Sequence, residues 1–360
     1  MVRPITFSID IEAMRHNLER VRARANGRKV WAVVKANAYG HGIENAVKGF
    51  AQADGLALLE IEEAQRARET GWKKRIVMLE GFFDAEDLAR LEVLDVETIV
   101  HDRWQIELIR TTPHQNLRVH LKVNSGMNRL GFDPGEVPGL IDELNAIAGV
   151  KVVGIVTHFA NSERAADADD CVSLNAQLQR MKPLLGRTDV ELCLANSAAA
   201  MLRPEAGGAA VRAGIVLYGV TPDSAIASSD LDLVPAMTLT ARILTVRDVA
   251  AGESVGYGSR WTAPRDSRIA VVACGYADGY PRAMPDGSPV WIAGKIAPLA
   301  GAVSMDMITV DVTDVPEARP GVEVELWGRH VSVNTLASLC GTIGYELLVS
   351  IARRVPMVSD

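Results

Sequence analysis

The sequence predicts an α/β protein in which a TIM-like (β/α)8 barrel precedes a smaller, mainly β domain. Three observations indicate this architecture. The chain has 360 residues, which is the usual length of two domains. Its first 220 residues alternate between short apolar runs and longer stretches with helical spacing, and this alternation stops near residue 230. We therefore assign residues 1–230 to the barrel and residues 231–360 to the second domain.

Eight short apolar runs, many of them rich in β-branched residues, are the predicted barrel strands. They are VWAVV (30–34), GLALL (55–59), IVMLE (76–80), ETIV (97–100), VHLKV (119–123), VVGIV (152–156), VELCL (190–194) and GIVLYG (214–219). Helical spacing fills the segments between them, as at 61–70, 84–93 and 172–185. Such alternation is typical of a parallel sheet closed into a barrel. An open doubly wound sheet fits it too, but KANAYGHG after the first strand is not the GxGxxG nucleotide fingerprint.

Beyond residues 221–235 the pattern changes to short alternating runs separated by Gly, Pro and Asp-Gly turns. The runs are 237–249, 267–275, 288–294, 302–312 and 321–328. Period-two alternation with frequent turn residues is typical of β-strands. Helical spacing returns only at 333–354, so the second domain is predicted to be mainly β.

Composition and charge restrict the classes of partner and the compartment. The net charge is −7, from 38 basic and 45 acidic residues, which argues against nucleic acid as a partner. No run reaches the roughly 18 apolar residues of a membrane span, and the first 25 residues lack the apolar core of a signal peptide. Cys171, Cys193, Cys274 and Cys340 are far apart and form no CxxC pair. We expect free thiols, no metal site, no membrane association and a cytoplasmic location.

Polar residues cluster where the predicted strands end, which is where barrel enzymes place their chemistry. They are Lys35, Asn37, Lys122, Asn124, Asn128, Arg129, His158, Asn196, Ser197 and Arg212. A lysine at a barrel mouth among hydroxyls, amides and arginines indicates a covalent bond to a phosphate-bearing aldehyde cofactor. Each residue alone has a simpler explanation: a solvated lysine, a partly buried histidine, or a serine that caps a helix, as we expect for Ser197. The whole set at successive strand ends favours a functional site.

Nine segments, in order along essentially the whole chain, resemble motifs of the alanine racemase family. They are AVVKANAYGHG (32–42), NSGMNRLGF (124–132), THFAN (157–161), ANSAA (195–199), VRAGIVLYG (211–219), VGYG (255–258), CGYADGYPR (274–282), VSMDM (303–307) and GTIGYELL (341–348). The resemblance implies an N-terminal α/β barrel, a C-terminal β domain and a head-to-tail homodimer. It also implies shared active sites, in which the second domain of one subunit closes the barrel mouth of the other.

The resemblance also implies pyridoxal 5'-phosphate as the cofactor and a role for each matching residue. Lys35 would carry the cofactor, and His158 would pack on its ring. Arg212 would face the pyridine nitrogen, and Arg129 would face the phenolic oxygen and help to bind the substrate. The phosphate would be held by a set of residues in several motifs, with Asn196 in the same loop as one of them. This set is Tyr39, Ser197, Gly214, Ile215 and Tyr345.

The remaining roles fall mainly on the second domain. The resemblance implies that Tyr257 of the partner subunit is the second base, opposite Lys35, and that Met305, with Asp306 beside it, binds the substrate carboxylate through its backbone amide. Lys122 matches a lysine that is carbamylated in some members, where it steadies Arg129. Some members carry histidine at the position of Cys193, so we expect Arg212 to be supported differently here.

The reaction implied is the interconversion of L-alanine and D-alanine by two bases on opposite faces of the α-carbon. It serves both the supply of D-alanine for peptidoglycan and its degradation. A broader-specificity amino-acid racemase is one alternative, and an amino-acid decarboxylase of the same fold type is another. The decarboxylases would place a glycine-rich loop and a catalytic cysteine where this chain has ANSAA and VSMDM. A cofactor carrier built from a single barrel would lack residues 231–360.

Overall fold

The architecture comes from a computed structural model that describes residues 3–165 and 172–359. Strand β1 (Ile5–Ile9) and helix α1 (Ile11–Ala25) begin the chain and precede the barrel. Asp10 caps α1, because its side chain accepts a hydrogen bond from the Ala13 backbone N–H over 2.9 Å. The first helix therefore begins directly at the end of the first strand.

Eight parallel strands close into a barrel, which confirms the predicted fold class. They are β2 (Lys29–Val33), β3 (Gly55–Leu58), β4 (Arg75–Met78), β5 (Glu97–Val100), β6 (Leu117–Lys122), β7 (Val150–Val156), β8 (Glu191–Ala195) and β9 (Ala210–Ala213). Each strand pairs with the next, and β9 pairs with β2. Most strand residues are buried on both faces, which explains why the strands form continuous apolar runs in the sequence.

Helices fill the connections between the barrel strands, as the spacing predicts. They are α2 (Ile43–Gly49), α3 (Ile61–Glu69), α4 (Ala85–Val93), α5 (Arg103–Thr111), α6 (Val137–Asn145), α7 (Leu174–Met181) and α8 (Ser197–Leu202). Within the described ranges, no helix combines the length and the apolar character that crossing a membrane requires. Cys193, Cys274 and Cys340 are free thiols, whereas Cys171 lies outside the described residues.

The prediction of a strand at GIVLYG (214–219) is wrong. The eighth strand is β9, one segment earlier, and Ile215–Tyr218 forms a 3₁₀ turn. Every residue of that turn is buried, so its apolar run carries no periodicity that separates a strand from a tight helix. Arg212 therefore lies within the eighth strand and not in the loop before it.

The second domain contains a sheet built around the 13-residue strand β10 (Met237–Val249). The other strands of this sheet in the domain are β13 (Ser267–Val272), β14 (Pro289–Ile292), β15 (Lys295–Pro298), β16 (Ile308–Asp311), β17 (Glu323–Trp327) and β18 (Met357–Ser359). Strands β11 (Ser254–Val255) and β12 (Trp261–Thr262) form a separate two-stranded sheet. Helices α9 (Val333–Leu339) and α10 (Gly344–Val349) lie within the predicted helical stretch. Of the run 302–312, only β16 is a strand, because residues 302–307 form an irregular turn.

Both ends of the chain join the sheet of the second domain. Strand β1 pairs antiparallel with β10 and parallel with β18. The sheet therefore takes strands from both ends of the sequence, although the first strand precedes the whole barrel. The domain boundary near residue 230 stays a prediction.

Ion-paired polar side chains fill the barrel interior near the amino ends of the strands. His120 is completely buried, and its Nε2 lies 2.6 Å from Oε2 of Glu97. Arg75 donates to Glu97 over 3.0 Å and to Glu191 over 2.6 Å, so both carboxylates are paired. On the opposite side, His120 faces Gly154 of the neighbouring strand in register. A Cβ atom at residue 154 would lie 2.1 Å from Nδ1 of His120.

Gly154→Ala should lower the free energy of unfolding by about 1–3 kcal/mol, the usual penalty of overpacking a core. Chemical denaturation of the purified variant measures this change. Gly139→Ala in α6 is the matched control, because a Cβ at residue 139 meets no atom within 4 Å and alanine favours a helix. Equal stability of Gly154→Ala and the unmodified protein would contradict this account of the packing.

Candidate active site

A cavity of about 330 Å³ opens at the carboxyl ends of the barrel strands. Ten of the residues predicted for the site line it. They are Lys35, Tyr39, Lys122, Arg129, His158, Asn196, Ser197, Arg212, Gly214 and Tyr345. Ile215, also predicted, is fully buried directly after Gly214. Strand ends far apart in sequence thus bring their polar side chains to one place.

Lys35 begins a left-handed helical turn, Lys35–Tyr39, directly after β2. Ala36, Asn37, Ala38 and Tyr39 all have φ between 52° and 56°, a region that costs L-residues roughly 1–2 kcal/mol each. Strained backbone of this kind persists only where the surroundings enforce it, and it is common at functional sites. The turn carries Lys35 and Tyr39 into the cavity from one short segment.

The left-handed turn is held by hydrogen bonds that meet at Asn37. The Asn37 backbone N–H donates to the carboxylate of buried Glu63 over 2.5 Å. Its side-chain oxygen accepts from the Ile43 N–H over 3.3 Å and from Arg66 over 3.2 Å. Asparagine tolerates positive φ better than most residues, which suits it to this position. Asn37 therefore supports the turn and does not line the cavity.

The cavity concentrates positive charge, and this charge changes the acidity of its lysines. Burial and the neighbouring guanidinium groups of Arg212 and Arg129 lower the pKa of Lys122 to about 7. Burial also lowers the pKa of Lys35, and the charge of Arg129 adds to this, whereas Glu80 opposes it. Lowering the pKa of an amine makes its neutral, nucleophilic form more abundant near neutral pH.

His158 faces the cavity at the end of β7 and is neutral there. Burial, reinforced by the positive charges of Arg212 and Lys122, lowers its pKa to about 2. A neutral imidazole offers a flat, uncharged face to whatever lies in the cavity. This suits a ring-packing role better than proton transfer near pH 7.

Arg212 is supported by backbone carbonyl groups, as expected in the absence of a histidine partner. It is only 5% exposed, and its Nη1 donates to the Cys193 carbonyl over 2.5 Å. The Cys193 sulfur lies 3.3 Å from the same nitrogen, and Nη2 donates to the Thr157 carbonyl. The guanidinium is thereby fixed in the wall of the cavity without a carboxylate partner among the described residues.

Ser197 and Gly214 bring two neighbouring loops together. The prediction that Ser197 caps a helix is wrong: Asn196 caps α8 by accepting from the Ala199 N–H over 3.0 Å. The Ser197 hydroxyl instead accepts from the Gly214 N–H over 2.8 Å. A Cβ at residue 214 would lie 2.5 Å from the Tyr39 hydroxyl oxygen, so only glycine leaves room for that phenol.

The second domain contributes Tyr345 to the cavity of its own chain. Its ring lies 5.8 Å from that of Tyr39, and burial raises the pKa of both phenols. Helix α10 is close to the left-handed turn here, because a Cβ at Gly40 would lie 2.5 Å from the Leu348 carbonyl oxygen. Both tyrosines therefore remain protonated at neutral pH and can donate hydrogen bonds.

Three other predicted residues lie in the second domain outside this cavity. Tyr257 is 73% exposed and Met305 is 53% exposed, and Asp306 follows Met305 in the same turn. Within residues 3–165 and 172–359, the Met305 backbone N–H has no hydrogen-bond acceptor. The structure of one chain does not bring these residues to the barrel mouth.

Comparisons with known proteins identify the relatives of this chain. Residues 9–222 match the family model "Alanine racemase, N-terminal domain", and residues 236–359 match "Alanine racemase, C-terminal domain". The alanine racemase of Janthinobacterium sp. (strain Marseille) is 46% identical over 360 residues, covering 99% of each chain. The chain belongs to the alanine racemase family.

The chain is also similar to an alanine racemase named as catabolic and to alanine racemases with solved structures. A protein of Klebsiella aerogenes named "Alanine racemase, catabolic" is 43% identical over the full length of both chains. The crystal structure of the biosynthetic alanine racemase from Pseudomonas aeruginosa matches with a TM-score of 0.94 and 42% identity, covering 100% of each chain. These full-length matches do not favour the decarboxylase or the single-barrel carrier.

Sequence reasoning missed several residues that line the cavity of this alanine racemase family member. They include the acids Glu80 and Glu163 and the apolar residues Leu59, Leu79 and Leu130. Glu80 ends the predicted run IVMLE, so scanning every strand end for charged residues would have identified it. The leucines carry no such signal, because apolar residues are equally common in any barrel core.

Proposed function

We propose that this protein interconverts L-alanine and D-alanine, with pyridoxal 5'-phosphate held at Lys35 in the barrel cavity. The observation that carries the proposal is the set of four cationic side chains in one cavity, in a chain whose full-length relatives are named alanine racemase. They are Lys35, Lys122, Arg129 and Arg212. The family membership supports the small substrate, and the cavity supports the cofactor.

The cavity residues fit a flat, anionic aldehyde. Lys35, with its lowered pKa, would hold the aldehyde carbon. The phosphate would lie against the hydroxyls of Tyr39, Ser197 and Tyr345 and the backbone at Gly214 and Ile215, with Asn196 fixing the adjacent loop. His158 would pack on the ring as a neutral imidazole.

When bound, pyridoxal phosphate withdraws electrons from the α-carbon of an amino acid and makes its hydrogen removable as a proton. Arg212 would donate to the pyridine nitrogen, and because arginine does not lose its proton in proteins, it cannot act there as an acceptor. Arg129 would donate to the phenolic oxygen. Lys35 would remove or return the α-proton on one face of the substrate.

The opposite face requires a second base, and we propose Tyr257 of the partner subunit in a homodimer with shared active sites. Tyr257 is exposed and outside the cavity of its own chain, which supports a role in covering another barrel mouth. The Met305 N–H, which has no acceptor within the described part of the chain, would bind the substrate carboxylate from the same side, with Asp306 beside it. Tyr345 and the partner subunit's Tyr257 would leave space for little more than a methyl group.

The cellular role we propose is cytoplasmic turnover of alanine. Relatives named as catabolic and as biosynthetic are similarly identical to this chain, at 43% and 42%. Both directions use the same reaction, so the supply of D-alanine for peptidoglycan and the use of D-alanine as a nutrient require the same site.

Purified protein reconstituted with pyridoxal phosphate should racemise L-alanine. The visible spectrum should show a borohydride-reducible band, and circular dichroism should show loss of optical activity without release of carbon dioxide or pyruvate. The same assay with L-lysine and L-arginine tests for the broader-specificity alternative. A band without loss of optical activity would reject the reaction, and no band would reject the cofactor at Lys35.

Tyr257→Phe should reduce racemisation by about 10²–10⁴-fold, the usual contribution of a placed acid or base. Because Lys35 still serves one face, one enantiomer should continue to exchange its α-hydrogen for deuterium in D₂O. Proton NMR of each enantiomer measures this exchange, and the other enantiomer is the internal control. Undiminished racemisation would remove Tyr257 from the mechanism.

We also propose that the Lys122 amine is carbamylated, so that the new carboxylate steadies Arg129. Carbon dioxide reacts only with the neutral amine, and the pKa of Lys122 is lowered to about 7. The neutral fraction therefore rises as pH increases through 7. At fixed dissolved ¹³CO₂, the carbamate signal in ¹³C NMR should be larger at pH 8 than at pH 6.

Lys122→Met is the control for that signal, since it removes the amine. The protonated amine would add to the positive charge around Arg212 and Arg129, whereas the carbamate would oppose it. Absence of a Lys122-dependent signal at both pH values would remove the carbamate from the proposal.

A further inference from the structure

The turn that carries Met305 is held in place by another loop of the second domain. We call residues 304–306 the Met305 turn. Its Ser304 carbonyl accepts from the Tyr276 N–H over 3.1 Å, and its Met305 carbonyl accepts from the Ala277 N–H over 3.0 Å. A Cβ at Gly275 would lie 2.3 Å from the Ser304 carbonyl oxygen, so the two backbones are in direct contact. The orientation of the Met305 peptide therefore depends on the loop 275–278.

That loop is itself organised by a completely buried carboxylate, Asp278. One of its oxygens accepts from the Gly275 N–H over 2.9 Å, closing the loop. A buried carboxylate needs compensating charge, since desolvation of an unpaired ion is costly. Two arginines supply it: Nε of Arg354 lies 2.7 Å from Oδ1, and Nη2 of Arg3 lies 3.3 Å from Oδ2.

The same two arginines also hold the Met305 turn itself. Nη2 of Arg354 donates to the Asp306 carboxylate over 2.6 Å. Nη2 of Arg3 donates to the Asp306 backbone carbonyl over 2.6 Å. Each guanidinium thus bridges Asp278 and Asp306, and we call this pair the arginine clamp.

The sheet brings the two members of the clamp together from opposite ends of the chain. Arg3 lies two residues before β1, and Arg354 lies three residues before β18, which pairs with β1 in parallel. The backbone nearby is also tied to the loop, because the Ala352 N–H donates to the Asp278 carbonyl over 3.1 Å. Pairing of the terminal strands therefore determines where both guanidinium groups lie.

We propose that Arg3 and Arg354 are positioning residues that orient the Met305 turn, so that its free N–H faces the substrate carboxylate. The proposal rests on the proposed function, since it assigns the clamp to alanine binding. Neither arginine touches the reacting atoms. The clamp holds Asp306 on one side of Met305, and the Ala277 N–H holds the Met305 carbonyl, whereas the Met305 N–H has no acceptor among the described residues.

A hydrogen bond to the substrate carboxylate stabilises the bound substrate and the transition state equally. Its loss therefore raises KM and leaves kcat nearly unchanged. Arg354→Ala and Arg3→Ala should each raise the KM for L-alanine about tenfold, the effect of losing one charge-assisted hydrogen bond. The value of kcat should stay within about threefold. Arg354→Lys keeps the charge but cannot bridge two acceptors as a planar fork does, so its KM should be intermediate.

Hydrogen–deuterium exchange of the holoenzyme tests the clamp independently of catalysis. Peptides covering residues 303–307 should exchange faster in both alanine variants. Arg268→Ala is the matched control: Arg268 lies in the same domain and donates to the carbonyls of Ala318 and Val315 over 2.9 and 3.4 Å, away from the Met305 turn. It should leave both KM and exchange at 303–307 unchanged.

An unchanged KM in Arg354→Ala, or an equal rise in Arg268→Ala, would overturn the proposal. If Arg354→Ala does not fold, Arg354→Lys provides the same comparison. If the unmodified protein does not racemise alanine, the proposed function fails. Faster exchange at 303–307 in the clamp variants would then still support the orienting contact, and unchanged exchange would reject it.

Discussion

The close grouping of four basic side chains at the barrel mouth, together with the burial of its two lysines, is the constraint on which the rest of the site depends. Lys35, Lys122, Arg129 and Arg212 share a cavity of about 330 Å³. In such surroundings a titratable amine loses its proton more readily, and the pKa of Lys122 is lowered to about 7 by burial first and then by the charges of Arg212 and Arg129. The cavity wall also contains two carboxylates, Glu80 and Glu163. The proposed phosphate-bearing ligand would add further negative charge to balance the basic groups. For Lys35 the main cause of the lowered pKa is burial, because the attraction of Glu80 opposes the charge of Arg129.

Placing Lys35 among these charges requires backbone strain, which other parts of the chain compensate. The left-handed turn after β2 directs both Lys35 and Tyr39 into the cavity. Glu63 accepts a backbone N–H of the turn, and Gly214 leaves space for the Tyr39 phenol. Lys35 is thus positioned by residues to which the proposed mechanism gives no chemical step.

The sequence could predict the barrel and most of the cavity, because strand periodicity and polar strand ends are local signals. It could not separate a 3₁₀ turn from a strand at GIVLYG, since an apolar run buried on every side has no period. It also could not show that backbone carbonyls hold Arg212, because a carbonyl group belongs to every residue. The contact between Arg3 and Asp306 joins residues 303 positions apart, beyond any local pattern.

In the proposed mechanism one base lies in the barrel and the other in the second domain of the partner subunit. The proposed activity would therefore require a dimer. Tyrosine ordinarily keeps its proton up to about pH 10, so a tyrosine base needs neighbouring positive charge to act near neutrality. Tyr257 is 73% exposed and lies outside the cavity of its own chain, whereas the barrel mouth contains a group of cations. Docking Tyr257 against the barrel mouth of another subunit, as proposed, would bring the phenol close to that group of cations. The base and the environment that activates it would then exist only in the dimer.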